Sequence, residues 1–206
     1  MLWSHATYTR GVRAAIDEND VAELELGSAD NQAVARQLVA WAEQPHPADQ
    51  ISPRELLTRA GEQLEYADDG EAAVALYRRA SEAPGDATID PRSHLVSLLL
   101  QRGEHEEAAA LDRELRRARP ETSATYEYMS EVWAEHGQAQ RALGWVTRGI
   151  LRHEQGPPFS DVDLAMRCLT RWQLREPAGH APDDYDLIGI GMRERMAQRA
   201  EEQGLG

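Results

Sequence analysis

Seven histidines, one cysteine and a large surplus of carboxylates are the side chains of this sequence with chemistry to offer. His94 is the histidine with candidate partners. If it sits on one helix and Glu127 and Glu131 on the next comparable helix, the three form a His/carboxylate set suited to a metal ion or to acid–base work. None of the histidines shows an H-E-x-x-H spacing. His105 stands in "GEHEEAA" beside Glu104, Glu106 and Glu107, but adjacent positions on a helix diverge and do not close on one ion. Those carboxylates suit the positive end of a helix dipole instead. Cys168 falls on an apolar helical stripe, where a thiol behaves as a small hydrophobe. As the single cysteine it excludes an intramolecular disulfide and a cysteine-built zinc site. The "GIG" at 189–191 has no preceding strand and lacks the rest of a dinucleotide fingerprint, and no G-x-S-x-G elbow is present. The expectation is a non-enzyme with no catalytic residue, no cofactor and no metal, and with His94 making a hydrogen bond.

The helices that would carry these residues follow a repeat. Three stretches echo one another when aligned on Ala73, Ala108 and Ala142, at spacings of thirty-five and thirty-four residues. Nine positions earlier stand Leu64, Leu99 and Trp133; thirteen earlier, Ala60, Leu95 and Met129. Three positions later come Leu76, Leu111 and Trp145; seven later, Ala80, Leu115 and Gly149. Recurrence of size at fixed offsets marks stacked structural units. Within one unit, Ser52 is placed to cap a helix, with Pro53 at the first helical position and Glu55 as the return half of a capping box. Leu56, Ala60, Leu64 and Ala67 share a face, "ADDG" interrupts the helix, and Ala73, Leu76, Tyr77 and Ala80 face inward on a second one. Such a hairpin cannot bury both faces alone and needs neighbours.

The spacing resembles that of the tetratricopeptide repeat, a helix-turn-helix of about 34 residues. The family's Gly is matched at Gly61, its paired small residues at Ala73 and Ala80 with Tyr77 between them, and its closing Pro at Pro120. Trp133 stands where the family has an aromatic. Asp112, in place of an aromatic, and Arg92, in place of a large apolar residue, depart from the pattern, and Pro84 comes one residue early. The resemblance implies an all-α, TPR-like superhelix of antiparallel helical hairpins, an α-solenoid. Residues 51–155 form three repeats, residues 1–50 a helical pair that reads as a degenerate repeat, and 156–206 a capping pair of helices. In the first segment, "GSADNQAVARQLVAWAEQP" reads as a helix capped at Ser28 or Asp30, "HATYTRGVRAAIDENDVAELEL" as its partner, and "PHPADQ" as a polar linker. In the last, a capping box runs from Ser160 to Asp163, and the final helix is expected to turn Leu187, Ile190 and Met196 inward.

The family presents the first helix of each unit to a bound peptide. On this chain that implies Glu55, Glu62 and Tyr66, then Asp90 and His94, then Glu127, Glu131 and Glu135. Only Arg59 among the mapped positions offers a cation, so a clamp for a peptide's terminal carboxylate is not expected. Complementarity favours a basic or Arg-rich segment instead. The whole composition agrees in sign: the net charge is −14, with no lysine, which opposes binding to nucleic acid or to an anionic membrane surface. Ala, Leu, Glu, Arg and Gln dominate and only one Phe is present, a helix-forming composition. The start of the chain lacks a signal-peptide apolar run and no stretch approaches membrane-spanning length, so a cytoplasmic protein is expected. The leading functional reading is a non-catalytic interaction module, an adaptor or scaffold holding a basic peptide. Self-assembly into a homodimer through the last helix is the alternative, and a small helical enzyme or ligand sensor a third.

Overall fold

A computed structural model describes residues 13–155 and 161–203. Among them are ten α-helices, one short 3-10 turn and no strand. The helices are α1 (Glu18–Gly27), α2 (Asn31–Glu43), α3 (Pro53–Tyr66), α4 (Gly70–Glu82), α5 (Pro91–Gln101), α6 (His105–Ala118), α7 (Ser123–Glu135), α8 (Ala139–Gln155), α9 (Asp161–Arg175) and α10 (Asp184–Glu202). They divide between two compact units, Met1–Ala87 and Thr88–Gly206. The division falls between the hairpins aligned on Ala73 and on Ala108.

In the first unit, α2 packs on α3 and α3 on α4. The α3–α4 pair is an antiparallel hairpin: the Arg54 N–H at the start of α3 donates to the Pro84 carbonyl beyond the end of α4, and its side-chain Nε donates to Ala83 O at 3.0 Å. Ser52 caps α3 by accepting from the Glu55 N–H at 3.0 Å, while Glu55 turns its own carboxylate to Arg59. The close helix contact comes from the small residues: Ala60, Ala73 and Ala80 are fully buried. A Cβ on Gly61 would stand 2.5 Å from the Tyr77 ring, so only glycine lets that phenol lie across α3. The core around this hairpin continues into Val34, Ala35, Leu38, Ile51 and Leu56.

α1 is shorter than its sequence pattern suggests. Asp17 caps it in a reciprocal box with Asp20, and residues 13–16 ahead of the cap are not helical. Arg13 reaches instead to Asp49, with which it forms an ion pair, and Asp49 also accepts from the Ile16 N–H at 3.0 Å and the His46 N–H at 2.7 Å. These contacts hold the Asp49 carboxyl down to about 2. The "PHPADQ" linker is thereby an anchored turn. Asp30, of the two candidates, is the cap of α2. The part of the expected partner helix before residue 13 lies outside the described residues.

In the second unit, α5 pairs with α6, α7 with α8 and α9 with α10, and α8 packs on α9. Ala108 and Ala142 are fully buried, as are Leu115 and Met129. Trp133 and Trp145 fill the centre of the α5–α8 core. The last pair meets most closely at Gly189, where a Cβ would lie 2.5 Å from the Cys168 carbonyl. Glycine in "GIG" is thus a helix-packing residue. Leu187 and Met196 correct the sequence reading: they are 57% and 47% exposed. The buried residues of α10 are Asp186 and Gly189. The face of α10 turned to α9 carries Asp186 because Arg171 and Arg175 on α9 both ion-pair with it. Asp183 and Asp186 form the capping box of this helix; Ser160, expected to cap α9, lies outside the described residues.

Candidate functional site

The first helices α5 and α7 lie side by side, and α7 carries a row of carboxylates. Glu127, Glu131 and Glu135 stand four residues apart, which places them on one helix face. Glu127 receives the Arg167 Nε at 2.8 Å from α9; the arginine is almost fully buried and the glutamate 44% exposed. Glu131 and Glu135 are exposed. The Glu131 carboxyl is pushed above the usual range, first by partial burial and then by repulsion from Glu127 and Glu135. Among the described residues neither Glu131 nor Glu135 has an ion-pair partner.

The other two expected contacts on α5 face elsewhere. Asp90 is the cap of α5: it accepts from the Arg92 N–H at 3.0 Å and binds the Arg92 guanidinium at 2.9 and 2.6 Å. Its own N–H donates to Thr125 Oγ1 at 2.9 Å, tying the start of α5 to α7. This capping role accounts for Arg92 at a position where the repeat favours an apolar residue. His94 is 3% exposed, so it supports the helix pair from beneath and offers no accessible ring edge of the kind expected of a groove residue. Its ring packs on Tyr128 with centroids 4.6 Å apart. Burial pushes its pKa down to about 4, against an opposing pull from Asp90, so the imidazole is neutral at pH 7. His94, Glu127 and Glu131 do not close into a metal site: among the described residues no group of three His, Cys, Asp or Glu side chains is arranged to hold an ion.

On α3 of the first unit, the expected contacts are drawn into an internal cluster. Arg59 is ringed by Glu55 at 3.1 Å, by Glu25 at 3.5 Å and by Glu18. Its cation is thus engaged by carboxylates of its own chain. Glu62 lies half-buried beside this cluster. Burial, then Glu55, raise its carboxyl to about 7, with Arg59 opposing and Glu25 and Glu65 adding to the rise. Glu65 accepts the Tyr77 hydroxyl. Tyr66 is 73% exposed at the end of the helix.

A polar constellation in the core of the second unit joins residues that the sequence pattern does not link. Asp112 is fully buried on α6. One of its oxygens accepts from Trp145 Nε1 at 2.6 Å and from Trp133 Nε1 at 3.0 Å. The other binds Arg116 one turn on. Its signal was present: an aspartate in place of an aromatic, with tryptophans at two core offsets of the next repeat. Two buried indole N–H groups need an acceptor, and Asp112 supplies it. Cys168 is buried and its thiol pushed up to about 11, chiefly by burial, which removes the thiolate that reactivity requires. No helix among the described residues is long and apolar enough to cross a membrane.

No family model matches the chain, and no curated protein matches it. Among solved structures, that of the "MamA RS-1 ArsTM double mutant" is similar, at 14% identity and a TM-score of 0.48, over 89% of this chain and 93% of that one.

Proposed function

We propose that the chain is a non-catalytic protein-interaction module, an adaptor or scaffold, and that it binds a basic segment of a partner along the acidic face of α7. The observation that carries this reading is the pair Glu131 and Glu135, exposed on one face and unengaged by any cation among the described residues. Tandem helical hairpins present such faces at regular intervals, and opposite charge on a partner steers encounter and fixes register. Glu127 adds to the row although Arg167 partly neutralises it. Asp90, paired with Arg92, contributes less net field, and Glu55, paired with Arg59, lies in the other unit. Tyr66 and Glu62 belong to the other unit and offer a separate contact.

The experiment is a titration of a labelled Arg-rich peptide against the full chain at several salt concentrations. The expected result is binding that weakens with salt and is lost when Glu131→Arg and Glu135→Arg are combined. Unchanged affinity in that variant overturns the assignment. A second reading is self-association through α10, favoured by the exposure of Leu187, Ile188 and Met196 on that helix. Light scattering of the full chain and of a Leu187→Glu, Met196→Glu variant separates the two. A dimer that becomes a monomer in the variant supports self-association; a monomer in both removes it.

A further inference from the structure

Within the second unit, the surface opposite in sign to the α7 row is a cavity of about 470 Å³ lined by Arg116, Arg119, Tyr126, Arg148, Leu151, Arg152 and Gln155. Four arginines meet there and, among the described residues, no carboxylate lines it, in a chain whose net charge is −14. Basic residues in the last turn of a helix ordinarily complement its dipole. Arg116 closes α6, and Arg152 closes α8. That role requires each to serve its own helix end; it does not require them to converge. Here they converge with Arg119 and Arg148 on one void.

Several contacts hold the set in place. Arg116 is fixed by Asp112, the buried carboxylate that the two indoles also grip. Arg119 takes the left-handed conformation, φ 51°, at the end of α6, a backbone state that is uncommon for a non-glycine residue and costs on the order of 1 kcal/mol. Arg148 donates to the Gly144 carbonyl at 2.7 Å. The Tyr126 phenol registers the convergence: burial raises its pKa, and Arg152, Arg119 and Arg148 each oppose the rise.

We infer that this cavity is a binding site for a small phosphorylated molecule carrying at least two phosphoryl charges, held by the guanidinium groups of Arg116, Arg119, Arg148 and Arg152. The guanidinium fork matches phosphate oxygens bidentately. The volume falls within the range of roughly 300–1,000 Å³ typical of small-ligand sites. Leu151, 41% exposed at the rim, offers apolar surface to the organic part. A nucleic-acid strand has the same phosphate chemistry, but it would extend past the cavity, and the net charge of −14 opposes a long polyanion. A compact anion stays within reach of the four arginines, of which Arg116 also binds Asp112.

The test is calorimetric titration of the full-length chain with inorganic pyrophosphate. The expected result is saturable binding that weakens about tenfold between low and moderate salt, as exposed charge interactions are screened. Combining Arg148→Ala with Arg152→Ala is expected to weaken it roughly tenfold or more. The charge-matched pair Arg195→Ala and Arg199→Ala, on α10, should leave it unchanged. Combining Arg148→Lys with Arg152→Lys keeps the charge and removes the forks, and an intermediate affinity is expected. A circular-dichroism melt of each variant separates loss of the site from loss of the fold. Absence of saturable binding by the intact chain overturns the inference. So does equal weakening in the α10 control pair, or binding confined to a phosphoserine peptide with none to pyrophosphate.

Discussion

Asp112 and Glu62 are two buried or half-buried carboxylates in the two units, and their surroundings treat them in opposite ways. Asp112 is fully enclosed, yet three donors reach it: two indole N–H groups and the Arg116 guanidinium. Glu62 is less enclosed, yet burial first and Glu55 second raise its carboxyl, and Arg59, which opposes the rise, is itself engaged by Glu18, Glu25 and Glu55. The more buried group has the better-matched environment, while the less buried one is pushed to about 7. Burial acts together with the groups that line a site: donors meet Asp112, whereas at Glu62 the charge of Glu55 adds to the effect of burial. In this chain one such group organises a core and the other weakens the charge of a candidate binding face at neutral pH.

Removing Asp112 gives the largest expected effect. Asp112→Ala leaves two buried indole N–H groups without an acceptor and frees Arg116. Loss of one partner in a buried charged network typically costs about 3–5 kcal/mol, and a drop of that size in urea-unfolding free energy is expected. Asp112→Asn keeps an oxygen for both indoles and loses only the charge pair to a partly exposed arginine, so a loss of roughly 1 kcal/mol is expected. Equal losses in the two variants would show that the charge, not the acceptor oxygen, matters, and would break the contrast with Glu62.

His94 supplies a buried base for the same comparison. Its folded pKa, about 4, lies below the unfolded value near 6.5. The unfolded chain therefore binds the proton more readily, so the stability His94 allows is complete above pH 6.5 and falls as pH drops toward 4. The full decrement is about 3 kcal/mol at 1.36 kcal/mol per pKa unit. Relative to a His94→Phe variant, the native chain should lose stability across that window. A difference flat with pH would show that the ring is solvated.

Glu62 has the opposite sign. Its folded pKa is raised, from 4.5 to about 7, so the folded chain holds the proton more tightly than the unfolded one. Stability declines as pH rises from 4.5 through 7 and is flat above. Glu62→Gln should therefore stabilise the chain by about 1–2 kcal/mol at pH 8, after allowance for partial exposure, and by nothing near pH 4. The same substitution should change basic-peptide binding less than Glu131→Gln, because Glu62 is near half-protonated at pH 7.

The repeat period and its alanines made the hairpins legible. Ala73, Ala108 and Ala142 are all fully buried, because small residues where helix backbones approach leave a regular trace in sequence. Charge pairing left no such trace. Arg59, Arg92 and Arg167 neutralise expected groove carboxylates, and their partners lie one turn, two residues or forty residues away, at no common offset. The inward face of α10 departs from the pattern for the same reason: apolar periodicity favours Leu187 and Met196, whereas two arginines on α9 draw Asp186 inward. The arginine-lined cavity is assembled from α6, α7 and α8, and nothing in linear order brings its members together.

The smallest expected effect bears most directly on why Glu62 differs from Asp112. If Arg59 holds the Glu62 midpoint down against burial and Glu55, then removing its guanidinium should push that midpoint further up. Arg59→Met keeps the bulk of the stem and deletes the guanidinium. Arg59 opposes the rise of Glu62, so the midpoint of the Glu62 carboxyl, followed by carbon-detected NMR, should move above about 7 by roughly half a unit to one unit, the size expected for a partly screened charge. Glu25, whose carboxyl is raised by burial with Arg59 opposing, should move the same way. An unmoved Glu62 would mean that Arg59 does not reach its carboxyl and that burial and Glu55 hold its proton without opposition from that cation.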